Sequence, residues 1–312
     1  KELVLEVNKI EVGSEEELDK QLETEISHIF NLSEEYPIRV GFYTLDNNTK
    51  TKNINEKKEY YLSIVINHIA FDGWSFDIFL KELQEYYKYY LDQLSGKVGE
   101  LNLPELSVQY KDFALWQRSY LSGNRLEEQL NYWKNKLEDY EKLNLITDKP
   151  RPKQIDYKGE DIYFEIEEEV SVSLRELAKE LKVSLYSVLL AGYYLVLKAY
   201  TKQDDIVIGT PVANRHYPQI ENLIGFFVNT LVLRTKIDSK ITIKEFIQQV
   251  GSEVIESQLH QDLPFKKLVE ELKVAKDTSR HPIFQVMFGV QNFNNSSDIN
   301  ALLLKPYQGL EN

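Results

Sequence analysis

The chain has 312 residues, 42% of them hydrophobic and 12% aromatic. That is enough apolar material for one large domain or two ordinary ones, and too much for wholesale disorder. With no cysteine, a disulfide framework, a thiolate-bound zinc or iron–sulfur site and a thiol nucleophile are excluded. Thirty-seven basic against fifty acidic residues leave a charge of −13, the wrong sign for a surface that holds nucleic acid or an anionic membrane. No apolar run reaches the ~18–20 residues that span a bilayer. The opening Lys-Glu-Leu-Val-Leu-Glu-Val alternates like a strand, where a signal peptide would be continuously apolar. A soluble, cytoplasmic protein is expected, and a start inside a strand without Met reads as a segment of something longer.

In chain order, alternation predicts a strand over residues 3–12, and Ser14 then caps a helix over 15–30 with Glu15, Glu16 and Glu17 in its first turn, where the helix dipole favours acids. Two more strands are predicted at 38–45 and 60–70, joined by a polar turn at 46–59. After Asp72-Gly73 a long helix is predicted over 75–94, with Phe76, Phe79, Leu80, Leu83 and Tyr87 on one stripe; Ser95-Gly96 ends it. Helices follow at 110–121 and 126–137. Asp148-Lys-Pro-Arg-Pro-Lys-Gln154 is the best boundary, because two prolines among charges continue neither regular structure. Beyond it come a strand at 163–166, helices at 172–181 and 185–200, strands at 205–211 and 226–235, helices at 243–258 and 265–272, and a buried strand at 283–290. Trp116 and Trp133 fall on amphipathic stripes and are expected in the core. The acidic run 165–169 reads as a solvated edge. His216 and His260 lie in polar loop sequence and are expected in solvent, and His281 opens the last strand.

The most informative stretch is Ile64-Val-Ile-Asn67-His68-Ile-Ala-Phe-Asp72-Gly73-Trp74-Ser75. On a strand Asn67 and His68 would face opposite sides of the sheet. An imidazole, a carboxylate and a helix start within a few residues suit general-base chemistry, with backbone N–H groups open to an anion. The same residues also describe a hydrogen-bonded core histidine beside an Asp72 helix cap. The five histidines form no ligand-spaced pair, so no metal is expected.

Asn67-His68-xxx-Asp72-Gly73 resembles the His-His-xxx-Asp-Gly signature of the condensation domains of nonribosomal peptide synthetases. Tyr110-Lys-Asp-Phe-Ala-Leu-Trp116 is similar to their Tyr-x-Asp-x-Ala-x-Trp motif, and Ile224-Gly-Phe-Phe-Val-Asn-Thr230, followed by Leu-Val-Leu-Arg234, to their Ile-Gly-x-Phe-Val-Asn-Thr segment. His260-Gln-Asp-Leu-Pro-Phe265 and the run from Asp277 through Arg280-His-Pro-Ile-Phe-Gln-Val-Met-Phe to Asn292 match the last two motifs. Five motifs in family order across residues 64–292 are far more specific than one. The resemblance implies an α+β fold of two chloramphenicol-acetyltransferase-like lobes, each a mixed sheet with flanking helices, around a central tunnel. Residues 1–147 would form an N-terminal lobe incomplete at its start, 148–154 a linker, and 155–312 a C-terminal lobe incomplete at its end.

The implied reaction, typical of antibiotic biosynthesis, joins an upstream acyl or peptidyl thioester to the amino group of a downstream aminoacyl thioester, giving an amide. Both substrates ride on the phosphopantetheine arms of carrier domains, so no cofactor is bound directly. The implied partners are upstream and downstream peptidyl carrier domains and an adjacent adenylation domain. By the same resemblance the two arms meet beside His68; its imidazole is then expected to accept the ammonium proton or to orient the amine, and the Gly73 N–H at the helix start to bind the developing oxyanion. Asp72 holds the loop by pairing with Arg215, and Asn67 stands where the family usually has histidine. Trp74, Ser75, Asn229 and Asn292 are candidate tunnel residues; the two asparagines equally suit satisfaction of local backbone groups, and Trp74 equally suits packing. An epimerization domain shares His-Asp-Gly but carries a Gly-His-Gly-Arg-type motif that is not found, and a cyclization domain would have aspartate at position 67. Asn67 motivates a noncatalytic, partner-recruiting module as the other reading, and a stand-alone acyltransferase is a third.

Overall fold

Alternation of apolar residues builds the first sheet. In this computed structural model, residues 5–46, 58–291, 305, 307, 309 and 310 are described; most of the predicted turn at 46–59, and Asn292, lie outside them. β1 (Val7–Val12), β2 (Ile38–Leu45) and β3 (Glu59–Ile66) form a sheet in that order, β1 parallel and β3 antiparallel to β2. Between β1 and β2 runs α1 (Glu15–Ile26), entered at Ser14, whose Oγ accepts the Glu17 N–H at 3.2 Å. The helix stops four residues short of expectation. The Ser27 hydroxyl turns back to the Thr24 carbonyl, and Glu35 gathers the Asn31 N–H and the His28 ring into a separate turn, local bonds that compete with the helix.

Leu18 and Leu22 of α1 pack on Val12, Tyr43 and Leu45. A Cβ on Gly41 would lie 2.8 Å from the Glu25 carboxylate. Glycine there lets the Tyr43 hydroxyl donate to buried Glu25 at 2.8 Å, and burial first, then Glu25, pushes that phenol up to about 12.

β3 ends at Ile66, short of the expected residue 70. The Asn67 N–H makes a last bond to the Pro37 carbonyl at 2.8 Å, and Pro37 has no N–H to return. A 3₁₀ turn over His68–Ala70 leads into α2 (Gly73–Leu94). That helix closes on Gly96 at φ +74°. The Lys97 and Gly96 N–H groups bond back to the Asp92 and Gln93 carbonyls, the paired bonds of a glycine stop in the left-handed region.

The described residues form two compact units. One comprises those of Lys1–Tyr110, the segment Tyr217–Phe226 and the C-terminal stretch; the other comprises Lys111–His216 and Phe227–Asn292. Helices α3 (Tyr110–Tyr120) and α4 (Gly123–Lys136) and the stretch 148–154 thus fall almost wholly in the second unit.

The second unit is built on the antiparallel pair β4 (Asp205–Val212) and β5 (Asn229–Lys236). Six consecutive residues of β4 are buried, the pattern of a strand covered on both faces. Ile206 and Ile208 meet Leu190 and Tyr194 of α6 (Leu185–Thr201) and Phe246 and Val250 of α7 (Ile243–Gln258). Val207 and Leu231 meet Leu130 and Trp133 of α4, with Leu268 of α8 (Phe265–Glu271). Trp133 is core, as expected, but Trp116 is 38% exposed and stacks on Tyr120.

Two predicted strands are corrected. Residues 163–166 have no ladder partner among the described residues and stand in solvent, Tyr163 at 89% and Phe164 at 81% exposure. α5 (Glu168–Leu181) begins just after them, four residues ahead of expectation, with Glu168 and Glu169 in its first turn. Residues 283–290 form one bridge only, Met287 to Gly209. Ile283 at φ +71° and the Phe284 N–H bonded to the Pro282 carbonyl break the extended path. Gly209 permits this approach, since a Cβ there would sit 2.5 Å from the Phe284 ring.

Arg234 ties this unit together. Its Nε and one terminal nitrogen engage both oxygens of buried Asp205 at 2.8 and 2.5 Å. Its other terminal nitrogen donates to the Lys136 and Glu138 carbonyls at 3.0 and 2.7 Å, orphan acceptors at the end of α4. Arg234→Met leaves Asp205 buried without its cation, and a loss of about 3–5 kcal/mol is expected in urea unfolding; a loss under about 1 kcal/mol would remove this bridge from the unit's supports. A second prediction concerns Glu253 of α7. Burial pushes its carboxyl up from 4.5, opposed by Lys136 and by hydrogen bonds from Gln249 and Thr235. The folded state therefore binds this proton more tightly than the unfolded chain, and the group's contribution is complete below pH 4.5 and lost as pH rises through the folded value. Glu253→Gln should gain on wild type as pH rises from about 4.5 to about 8. A stability difference that is flat with pH would contradict this.

Candidate functional site

Where β3 runs out, Asn67 becomes the cap of the 3₁₀ turn, its Oδ1 accepting the Ile69 N–H at 3.0 Å. Asn67 and His68 therefore do not alternate across a sheet as expected; a short polar side chain has diverted the backbone into a turn. Asn67 is a local structural residue here.

His68 follows on the turn, exposed to solvent. Its Nδ1 lies 2.6 Å from the Phe71 carbonyl oxygen. A carbonyl can only accept, so Nδ1 carries the proton, and in the neutral ring the lone pair is on Nε2. The imidazole stands edge-on to Phe226, centroids 5.2 Å apart at 89°. One backbone bond and one aromatic contact fix the tautomer and the ring plane together.

Asp72, 3% exposed, is the N-cap of α2. Its Oδ1 accepts the Ser75 N–H at 2.9 Å and lies 2.8 Å from the Ser75 hydroxyl. Ser75 Oγ in turn accepts the Gly225 N–H at 3.1 Å and lies 3.0 Å from the Gly225 carbonyl. Trp74 Nε1 donates to the Glu221 carbonyl at 3.0 Å, and the Tyr110 hydroxyl to the Phe226 carbonyl at 2.8 Å. Three side chains thus hold the segment 217–226, two from the start of α2 and one from residue 110, and they set Phe226 against His68. Gly73, exposed at the first helical position, presents one of the four N–H groups that no intrahelical carbonyl can satisfy.

The remaining expected residues lie in the second unit. Asn229 opens β5. Its Nδ2 donates to the Gln261 and Leu263 carbonyls at 2.8 and 2.9 Å, and its Oδ1 accepts the Phe265 and Thr230 N–H groups at 3.1 and 2.9 Å. All four hydrogen-bonding capacities are spent on backbone, so Asn229 organises the 261–265 loop and offers no free polar wall. Arg215 is 6% exposed with its guanidinium 4.1 Å over the Phe227 ring, beside Asn214 at φ +54°. It is no loose surface charge. Asn292 lies outside the described residues.

The loop histidines are not simply solvated. His216 Nε2 is 3.1 Å from Asp262, and His260 stacks on Tyr132 at 3.7 Å, burial lowering its pKa. Among the described residues no group of three His, Asp or Glu could hold a metal ion, and no single helix is long and apolar enough to cross a membrane. Sequence reasoning missed the bonding roles of Tyr110, Ser75 and Phe226. The signal was present: Tyr110 opens one motif and Phe226 lies in another, so a contact between the two motifs was available to infer.

Comparison with known proteins agrees with this geometry. The condensation-domain family model matches residues 1–307. N-(5-amino-5-carboxypentanoyl)-L-cysteinyl-D-valine synthase of Amycolatopsis lactamdurans is 43% identical over 288 residues, 92% of this chain and 7% of the relative. Bacitracin synthase 3 of Bacillus licheniformis is 38% identical over 252 residues, 80% of this chain and 4% of the relative. The chain therefore spans less than a tenth of the length of these relatives. Among solved structures, the X-domain from teicoplanin biosynthesis superposes with a TM-score of 0.77 at 25% identity, covering 90% of this chain and 60% of that one. The four-domain nonribosomal peptide synthetase AB3403 gives 0.76 at 25% identity, covering 96% and 22%. With residues 1–307 of this chain matched by the family model and the His68–Ser75 signature seated at a strand-to-helix turn, this chain belongs to the condensation-domain family.

Proposed function

We propose that the chain forms an amide between an acyl or peptidyl thioester and the amino group of an aminoacyl thioester, each presented on a phosphopantetheine arm by a carrier domain of the same synthetase. The observation that carries the reading is the His68 ring: Nδ1–H is committed to the Phe71 carbonyl, Nε2 is the basic nitrogen, and the side chain is exposed. The amine nitrogen attacks the thioester carbonyl carbon. Nε2 takes a proton from that nitrogen as the C–N bond forms, and the carbonyl oxygen gains the negative charge. The C–S bond then breaks, the oxygen re-forms its double bond, and the departing thiolate receives the proton from His68. The Gly73 N–H, at the positive end of α2, is the donor nearest in sequence for the transient oxyanion.

Most of the acceleration falls to orientation. Holding two reactants in register can remove ~7–11 kcal/mol of a bimolecular barrier. An α-amino group titrates near ~8, so a fair fraction is neutral at physiological pH and needs modest help from a base. Asp72 serves as a holder, its Oδ1 spent on the Ser75 N–H and hydroxyl.

In an assay with loaded carrier proteins, His68→Ala is expected to slow amide formation about 10²–10⁴-fold; a rate within about threefold of wild type would end the base role. Asp72→Ala removes the cap of α2 and one of the two acceptors within reach of the Ser75 hydroxyl. It should cost at least about 1–2 kcal/mol in denaturant unfolding, and a variant within about 0.5 kcal/mol of wild type would show that the cap does not hold this turn.

A further inference from the structure

A cavity of about 290 Å³ lies in the second unit between the loop that carries the last motif and α8. Three cations line it: Lys142, Lys276 and half-buried Arg280. Among the described residues none of the three side chains forms an ion pair within 4 Å or donates a hydrogen bond. Lys142 and Lys276 are exposed, and the three cations gather in a chain whose overall charge is −13.

Asp277 is the carboxylate in the lining. It accepts the Ser279 N–H at 2.9 Å and the Ser279 hydroxyl at 2.6 Å, bonds that hold it below the usual carboxylate range, with Arg280 and Lys142 adding to them. It stays ionised, and three cations less one carboxylate leave a local charge of two. The rest of the lining includes Val269, Val274 and Ile283, so the cavity has a charged side and an apolar side.

The walls are fixed. The Thr278 hydroxyl donates to the Lys153 carbonyl at 2.7 Å, and the Ile155 N–H to the Thr278 carbonyl at 2.8 Å. The His281 ring lies nearly parallel to Phe265, centroids 5.6 Å apart, and 4.5 Å from Phe284. Ile283 is held at φ +71°, a region that a β-branched residue occupies only when its surroundings compel it.

The geometry points to a binding site for an organic phosphate, its dianionic head among Lys142, Lys276 and Arg280 and a short apolar body against Val269, Val274 and Ile283. A phosphate monoester carries about −1.5 to −2 charges near neutrality, which matches the local excess where a carboxylate supplies one. The guanidinium fork suits two phosphate oxygens. The volume is just below the usual range of ligand pockets, which sets the body at about half a dozen carbons.

Titration calorimetry on the full chain tests it with n-hexyl phosphate, inorganic phosphate and hexanoate as probes. Hexyl phosphate should bind one to one, at least about tenfold tighter than either of the others. Arg280→Ala should weaken it at least about tenfold, and Lys276→Glu, an exposed change that leaves the fold intact, should do the same; Lys240→Ala, in an exposed turn elsewhere, should change nothing. Absence of saturable hexyl phosphate binding to the wild type would overturn the assignment. So would hexanoate binding as tightly, or affinity unchanged in Lys276→Glu.

Discussion

A single hydrogen bond, from the His68 side-chain Nδ1–H to the Phe71 carbonyl, decides what the site can be. It selects the tautomer and so puts the basic lone pair on the ring nitrogen that points away from the turn. It can form only because the chain leaves the sheet at Asn67 and doubles back in one 3₁₀ turn before α2 begins. That turn depends on the Asn67 cap behind it and the Asp72 cap ahead. Asn67, the departure from the family's usual histidine, takes part through an acceptor oxygen bonded to a backbone N–H. The Asn67 side chain is thus engaged in the turn itself.

The other motif residues are spent in the same way. Ser75 is shared between Asp72 and Gly225, Tyr110 is committed to the Phe226 carbonyl, and Asn229 to four backbone groups around the 261–265 loop. Arg234 is divided between one carboxylate and the end of α4. These side chains are polar and motif-bearing, yet nearly all their hydrogen-bonding capacity goes to the protein itself. Polar groups satisfied in this way fix one conformation at little net gain in stability.

Much of this was legible in the sequence, for identifiable reasons. α7 and β2 came out residue for residue; the structure closes the start of α7 with a reciprocal Thr242–Glu245 cap, a signal written in the sequence at a fixed spacing. The misses cluster where tertiary context decides. Residues 163–166 have the composition of a strand, but a strand needs a neighbour, and none is found among the described residues. Residues 283–290 are apolar enough for a central strand, but Pro282 and the backbone turn at Ile283 leave a single bridge to Gly209. His68 was placed by residue type and family pattern at the end of a strand, and it stands instead on a 3₁₀ turn. Periodicity carries no trace of an asparagine that ends a strand by capping a turn.

A catalyst of amide formation from a thioester faces an unusual balance. The leaving group is good and the nucleophile is partly deprotonated at neutral pH, so one base and one or two donors suffice for the chemistry. Most of the barrier that a protein can remove is the entropy of bringing two tethered reactants into line. Such a protein needs its one reactive side chain held in a fixed plane more than it needs further reactive groups beside it. The distribution of polar atoms follows that requirement. In the proposed reaction one imidazole nitrogen is left for the substrate, while the carboxylate, hydroxyl, amide and phenol of the surrounding motifs are consumed in locking local backbone.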